Sequence, residues 1–397
     1  MPNATKLRAE SLAQRRNLKM AESVHAYVRG STAQFYEWLE ASPAYKDIPV
    51  GPAIWICGDC HLGNLGPLAD ARGKVDVQMR DLDQTIISNP AFDLIRLGLS
   101  LETAARSSDL PGVTTARMME AMIDGYGRAL TIDEADDPPE PSVVRAVRRT
   151  AAGRRWRHLA RERIDGVEPT IPVGKRFWKL GREERGAIDA LFEDPTVLER
   201  VRRLADVGEG AAVRVADAAY WRKGCSSLGR ARYAALLGVS GHKSGNEHFA
   251  LVDIKEAVPT LAPAANNAAM PRDAAQRVVA GAKALAPNLG ERMIPARLLG
   301  KPVVLRELAP QDLKIEIEQF SRKEAVQAAS YLAFVVGKAH ARQFRAEERT
   351  AWHRRLVGRP GGNLDAPSWF WRCIVDLAAS HEAGYLEHCR RFALPGG

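Results

Sequence analysis

The chain has 397 residues, 46% of them hydrophobic and 26% charged, which is enough for two or three cores and sets aside wholesale disorder. Five irregularly spaced cysteines make no disulfide framework, and no apolar run approaches the ~18 residues of a bilayer crossing. The opening residues lack an apolar leader core, so a reduced, cytoplasmic protein without a membrane partner is expected.

In chain order, apolar positions near the 3.6-residue period predict a helix from Ala21 to Glu40. A short buried strand from Ala53 then runs into a Gly-Asp loop, and a second strand, Val75 to Met79, leads into an acidic loop from Asp81 to Asp83. Helices are predicted from Phe92 to Arg106 and from Thr114 to Leu130. The acidic, proline-rich stretch Asp133 to Ser142 reads as a linker.

Eight arginines between Arg145 and Arg163 follow it and carry much of the net charge of +9. A solvated basic face opposite the acidic linker is preferred to a nucleic-acid surface, because only Trp156 interleaves an aromatic ring with the arginines.

From about Val213 the pattern becomes β-like: Val213 to Trp221, Arg232 to Val239, His248 to Ile254, Met293 to Leu299 and Val303 to Leu308. One helix interrupts these runs, Arg272 to Ala286, and the tail is helical again over Arg322 to Arg345 and Ser368 to Arg391. The expected class is therefore α+β, a small antiparallel sheet beside a larger, mainly helical part. The expected divisions are 1–165 (helical, with the acidic loops), 166–310 (β-rich) and 311–397 (helical).

Two constellations carry chemistry. The first is Gly58-Asp59-Cys60-His61-Leu62-Gly63-Asn64, followed across a strand by Asp81 and Asp83. Phosphoryl transfer requires a carboxylate that orients the attacking hydroxyl, and a carboxylate with an amide oxygen to hold Mg²⁺ against nucleotide phosphates. The second is the small-residue turn Gly224 to Gly229, with Ser226 at its third position, and Lys255 late in an apolar strand. Such a turn lets backbone amides approach phosphate, and such a lysine adds a fixed positive charge. Lys255 beside Val252 and Ile254 requires a partner. The helix that follows contains no glutamate, which leaves Asp273, Gln276, Glu256, another carboxylate or a bound nucleotide as candidates.

The first constellation resembles the aminoglycoside and choline phosphotransferase branch of the protein-kinase-like superfamily. That branch carries Gly-Asp-x-His-x-x-Asn, then a metal-binding Asp, then Pro-x-x-Asp-Leu, matched here by Pro90 to Leu94. The resemblance implies Asp59 as catalytic base with His61 beside it, and Asn64 and Asp81 as metal ligands with Asp83 as a further candidate. It implies Asp93 as a structural residue. Gly224, Ser226, Gly229, Lys255 and Glu307 would hold ATP, with Leu305 to Leu308 as the hinge that receives adenine.

Arg80 stands where a small polar residue is expected before the metal aspartate. The lysine follows the catalytic loop instead of preceding it, which implies a circular permutation. Over most of its length the chain resembles the bacterial family catalogued as domain of unknown function 2252. The carrying segments are Tyr27-Val28-Arg29-Gly30, the Asp59 and Asp81 loops, the Gly224 loop, Lys255-Glu256-Ala257, Arg306-Glu307-Leu308 and His340-Ala341-Arg342.

The function expected from these readings is ATP- and Mg²⁺-dependent phosphate transfer to a small-molecule hydroxyl. Three alternatives are weighed. A nucleotide-binding pseudokinase fits the altered glycine turn. A metallophosphoesterase fits Asp59-Cys60-His61 but lacks the later histidine elements. Transfer of AMP in place of phosphate also stays open. Cys57 and Cys60 read as small buried residues at a strand end, since no second cysteine or histidine pair completes a zinc site.

Overall fold

The computed structural model describes residues 4–70, 72–131, 137–154, 170–205, 207–208, 210–223, 229–240, 247–309, 312–313, 320–357 and 366–393. Its architecture is mixed α+β, with an antiparallel sheet set in the middle of the chain and helices contributed by both ends. The first stretch comprises α1 (Ala4–Met20), α2 (Val24–Gly30) and α3 (Thr32–Ala41). Four short strands follow: β1 (Ile54–Ile56), β2 (Leu65–Ala69), β3 (Val75–Met79) and β4 (Ile86–Ser88). Next come α4 (Ala91–Ser107), α5 (Gly112–Thr131) and α6 (Ser142–Ala152). β1 pairs antiparallel with β4, and β2 with β3, so both acidic loops hang from two-stranded ladders.

The central stretch holds β5 (Phe177–Trp178), α7 (Arg182–Glu193), α8 (Pro195–Leu204), β6 (Val213–Trp221), β7 (Arg232–Val239) and β8 (His248–Glu256). It continues with α9 (Ala274–Leu285), α10 (Pro287–Gly290), β9 (Met293–Leu298) and β10 (Lys301–Glu307). Six strands form one antiparallel sheet in the order β5-β6-β7-β8-β10-β9. Because side chains alternate across a strand, the sheet has two distinct faces. One face buries Tyr233, Leu237, Ile254, Ile294 and Leu305 against Ile188, Val197 and Val201 of α7 and α8. The other carries Arg232, Asp253, Lys255 and Arg306, which are cross-strand neighbours by register.

The chain closes with α11 (Arg322–Ala341), α12 (Ala346–Val357) and α13 (Ser368–Phe392). These join α2 to α5 in the largest hydrophobic core, where Leu94, Ile95, Met119, Tyr126, Leu332, Phe370 and Leu377 are buried together. Helix α1 spans the two parts. Leu12 enters the sheet core, while Tyr385 and His388 of α13 donate to the carbonyls of Ala21 and Asn17.

Several boundaries differ from the sequence expectations. The helix expected from Ala21 to Glu40 is broken at Ser31, the cap shared by α2 and α3. The helix expected from Arg322 to Arg345 stops at Ala341, and α12 begins afresh at Ala346. Helices α1, α6, α7 and α8 and strands β2, β4 and β5 were not expected. Within α8 only Val197 and Val201 are buried, too few to raise a periodic signal. Of the linker, residues 133–136 lie outside the described residues, as do Arg155 to Arg163 and Gly224 to Leu228. In α6, Arg148 pairs with Glu140 at 2.7 Å, which places part of the basic run against the acidic stretch before it.

Helices α5 and α11 cross so closely that glycine is required on both. A Cβ on Gly125 would lie 2.1 Å from the Ser330 carbonyl oxygen, and one on Gly337 would lie 2.9 Å from the Tyr126 carbonyl oxygen. Gly125→Ala should therefore destabilise the protein by about 1–3 kcal/mol through overpacking, despite alanine's better helix propensity. Chemical denaturation checks this, and an unchanged or higher midpoint would refute the close crossing.

Candidate functional site

The Gly58-Asp59 turn requires its glycine. Gly58 has φ +72°, and a Cβ there would sit 2.2 Å from the Gln84 carbonyl oxygen. The turn is pinned from below by Asp93, in the first turn of α4. One carboxylate oxygen accepts the Cys57 amide at 2.7 Å, and the other accepts the Gly58 amide at 2.9 Å. His340 Nε2 lies 3.2 Å from the same carboxylate, the Tyr126 hydroxyl 2.9 Å from His340 Nδ1, and Trp352 Nε1 3.1 Å from that hydroxyl. Because an indole nitrogen only donates, the Tyr126 hydroxyl accepts from Trp352 and donates to His340 Nδ1. The Nε2–H of His340 then donates to Asp93. Asp93 and His340 are both fully buried.

Asp59 is held on the far side of the same turn. Its carboxylate accepts Nε of Arg96 at 2.8 Å, and Thr32 also hydrogen-bonds to it. Burial pushes the Asp59 carboxyl up, against the downward pull of Arg96 and Thr32. His61 Nε2 stands 4.0 Å from Asp59, and its Nδ1 is buried without a hydrogen-bond partner among the described residues. Burial, together with Arg29 and Arg96, pushes His61 well below its usual range, so the ring is neutral. Asn64 donates its side-chain amide to the Asp59 carbonyl at 2.9 Å, which leaves its Oδ1 available as a ligand.

Lys255 comes to this loop from β8. Its ammonium is 3.2 Å from Asp81 and closer still to Asp83, so the partner left open by the sequence is this pair of carboxylates. Another carboxylate thus takes the place, and Asp273 and Glu256 are engaged elsewhere. Asp273 caps α9 and pairs with Arg297, and Glu256 pairs with Lys301 and accepts the Ala231 amide. Helix α9 contributes Arg277 instead, which donates to the Asp83 carbonyl at 2.8 Å.

Burial raises the Asp81 carboxyl, but Lys255 and then Arg232 outweigh it and hold the group well below the carboxylate range. Asp83 is pushed up to about 6 by burial and by the Asp81 charge, with Lys255 opposing. The two carboxylates share one ammonium, so they titrate as a pair.

Arg80, out of place by the resemblance, has a structural use here. Its side chain donates to the Asp312 carbonyl at 3.2 Å, while Arg306 donates to the Arg80 carbonyl at 2.9 Å. Arg292 and Arg306 both pair with the Asp312 carboxylate, at 3.0 and 2.7 Å. The strand end that presents Asp81 is thereby tied to the sheet.

Asp59, His61, Asn64, Asp81 and Asp83 line one cavity of about 390 Å³, with Arg16 of α1 and Arg230 on its wall. Other predicted residues lie elsewhere. Gly229 borders a separate groove with Arg8, Tyr220 and Tyr233, and Glu307 lines a small apolar cavity with Arg292 and Val252. Gly224 and Ser226 lie outside the described residues. Arg96, Thr32 and His340 were not read as site residues. Arg96 had a signal, since a charge inside the apolar run Phe92 to Leu99 must be buried with a partner.

Among the described residues no cluster of three or more His, Cys, Asp or Glu forms a ready metal cage. Mg²⁺ does not need one. Asn64, Asp81 and Asp83 supply hard oxygen donors on one cavity wall, and phosphates and water complete such sites.

The chain belongs to the family described as "Uncharacterized protein conserved in bacteria (DUF2252)", whose model matches residues 8–391. No curated protein and no solved structure matches it.

The Asp93 network makes a stability prediction. Asp93→Ala strands two buried amides and His340, and should cost about 3–5 kcal/mol. Tyr126→Phe strands His340 Nδ1 and the Trp352 N–H, and should cost about 1–3 kcal/mol. The double variant should lose less than the sum, because both act on one chain of bonds. Additive losses in denaturant melts would show that the two residues act independently.

Proposed function

We propose that this member of the DUF2252 family is an ATP- and Mg²⁺-dependent phosphotransferase of protein-kinase-like, circularly permuted organisation, acting on a small-molecule hydroxyl. The observation that carries the reading is the meeting of Lys255 with Asp81. They are 174 residues apart in sequence and 3.2 Å apart in space, and Asp81 lines one cavity with Asp59 and Asn64. The approach of two motif halves in inverted chain order supports the reading, because phosphate transfer needs a lysine and metal-binding oxygens at one nucleotide. In this reading 1–165 and 311–397 form the catalytic part and 166–310 the nucleotide-binding part.

The roles follow from the contacts. Asp59, the carboxylate fixed by Arg96 and Thr32, orients the acceptor hydroxyl and takes its proton; burial moves its affinity for a proton in the direction a base needs. Asn64 and Asp81, with Asp83 as a third oxygen source, would hold Mg²⁺, which when bound would neutralise charge building on the phosphate oxygens. With Mg²⁺ bound, the Lys255 ammonium, which here is shared by the two carboxylates, would be available to pair with the nucleotide phosphates. His61 is neutral and hydrogen-bonds to nothing described, so it fills and shapes the turn. Glu307 and Gly229 lie outside this cavity and take no part in the transfer step.

ATP with Mg²⁺ should raise the melting temperature, since a ligand at 100 times its Kd stabilises by about 2.7 kcal/mol. Asp81→Asn should remove the Mg²⁺-dependent part of that rise, and Lys255→Ala should weaken the nucleotide part. Asp59→Asn should leave nucleotide affinity nearly intact and lower transfer, or hydrolysis to water, by ~10²-fold or more. The acid limb of the wild-type rate profile should be shifted upward from that of an exposed aspartate, because Asp59 must be ionised and burial raises its pKa. No melting shift at millimolar ATP would overturn the reading. Nucleotide binding with equal, negligible turnover in wild type and Asp59→Asn would make the chain a nucleotide-binding pseudokinase.

A further inference from the structure

The cavity wall that faces the acceptor side of Asp59 has a charge pattern the transfer chemistry does not use. The carboxylates lining the cavity are Asp59, Asp81 and Asp83, and each is already held by a cation: Asp59 by Arg96, the other two by Lys255. Arg230 adds a further positive charge 3.9 Å from Asp83. Arg16, from the last turns of α1, also lines the cavity, yet it makes no hydrogen bond or ion pair among the described residues. The side chains of Asn17 and Gln34 stand on the same wall and are likewise unengaged.

The cationic excess continues behind that wall. The guanidinium of Arg29 is packed onto the catalytic loop, where a Cβ on Gly63 would meet its Cζ at 3.0 Å. Nε of Arg29 and Nη1 of Arg96 are both buried with no hydrogen-bond partner. Burial and these arginines keep His25 and His61 neutral, so the excess comes from guanidinium groups alone.

A guanidinium on a cavity wall without a partner is satisfied best by an oxyanion, which accepts charge-assisted hydrogen bonds from it. A cationic acceptor would meet the reverse situation. Every carboxylate on the described lining is engaged by Arg96 or Lys255, so an amine would face Arg16 with no free counter-charge. Tyr27, Met20 and Phe392 complete the wall with apolar surface, enough for a short carbon skeleton between the charged end and the hydroxyl.

We infer that the acceptor is a hydroxylated small molecule bearing an oxyanion, phosphate or carboxylate, which Arg16 seats while its hydroxyl reaches Asp59. This rests on the phosphotransferase reading for the direction of the hydroxyl, but the oxyanion seat itself does not require nucleotide. The selectivity is thus opposite in sign to that expected of an enzyme acting on an aminoglycoside or choline.

The test is calorimetric titration of the full chain, loaded with a non-hydrolysable ATP analogue and Mg²⁺, with glycerol 3-phosphate, glycerate, glycerol and choline. Occupying the nucleotide site first keeps the probes away from Lys255. At least one oxyanion probe should bind, and glycerol and choline should bind at least 10-fold more weakly. Arg16→Glu should weaken the oxyanion probe at least 10-fold. Arg15→Glu, the same charge change on an exposed neighbour of the same helix, should leave it within about 2-fold, as expected for a screened surface charge.

Tighter binding of choline, no binding of either oxyanion, or equal losses in the two arginine variants would overturn the inference. If the nucleotide analogue does not bind but an oxyanion probe still depends on Arg16, the seat stands and the phosphotransferase reading falls. If the analogue binds and no oxyanion does, the seat alone falls.

Discussion

The two amide–carboxylate bonds from Cys57 and Gly58 to Asp93 set the frame on which the site is built. The β1–β4 ladder ends at Ile56, so the amides of Cys57 and Gly58 beyond it must be satisfied from elsewhere. Asp93 does this from the first turn of α4, and α4 then supplies Arg96, one helical turn on, to the Asp59 carboxylate. One helix therefore fixes both the backbone of the turn and the side chain it presents. Asp93 is itself fixed by His340, Tyr126 and Trp352, so α11, α5 and α12 all bear on the position of Asp59. A buried carboxylate is tolerated here because every oxygen has a donor.

The second constraint is the charged face of the sheet. Arg232, Asp253, Lys255 and Arg306 would be ruinous on a face packed only by apolar groups. Register resolves this by pairing within the sheet and across to the loops: Arg232 takes Asp253 beside it, while Lys255 and Arg306 reach the Asp81 loop. The polar face thereby becomes the contact between the sheet and the helical part. On that face ion pairs and backbone carbonyls stand beside apolar packing of Val304 against Val278 and Val279 of α9, while the opposite face keeps the apolar core with α7 and α8.

Local chemistry was readable in the sequence, as was the approach of Lys255 to Asp81 through their motifs, but most other long-range partnerships were not. The Gly58 to Asn64 loop, Asp81 and the Pro90 to Leu94 element are short and contiguous, and the structure sets them side by side. Strands β6 to β10 were visible as apolar runs, because a sheet buried on one face and paired within requires β-branched and aliphatic residues along each strand. Helices α1, α7 and α8 were missed because long polar faces dilute their apolar stripe. Strand β2, Leu-Gly-Pro-Leu-Ala, carries a proline that argues against a central strand; it is accommodated because its ladder has only two strands. The pairing of His340 with Asp93 spans 247 residues, and no spacing rule reaches that far. Asp194 before Pro195 was a readable helix start that was passed over; its side chain accepts the Thr196 and Val197 amides.

Chain order has its own physical consequence. The helical part is made from both ends of the chain, so the sheet is an insertion whose two connections must close back on one core. Loop-closure entropy grows only slowly with the length enclosed, so the large insertion costs little more than a short one. Helix α1 then adds a third crossing. Leu12 is buried among sheet residues, Arg8 pairs with Glu184 at 2.7 Å and lies over the Tyr220 ring, and the carbonyl of Ala21, just past the helix end, accepts from Tyr385. Any opening of the cleft between sheet and helices has to slide or release α1 at one of these anchors, because a packed helix shifts as a rigid rod. Arg16 and Asn17 lie between those anchors and line the cavity. The cavity wall that holds Arg16 and Asn17 is thus carried by a helix anchored to both the sheet and the helical part, so a change in the spacing of the two would act on that wall through α1.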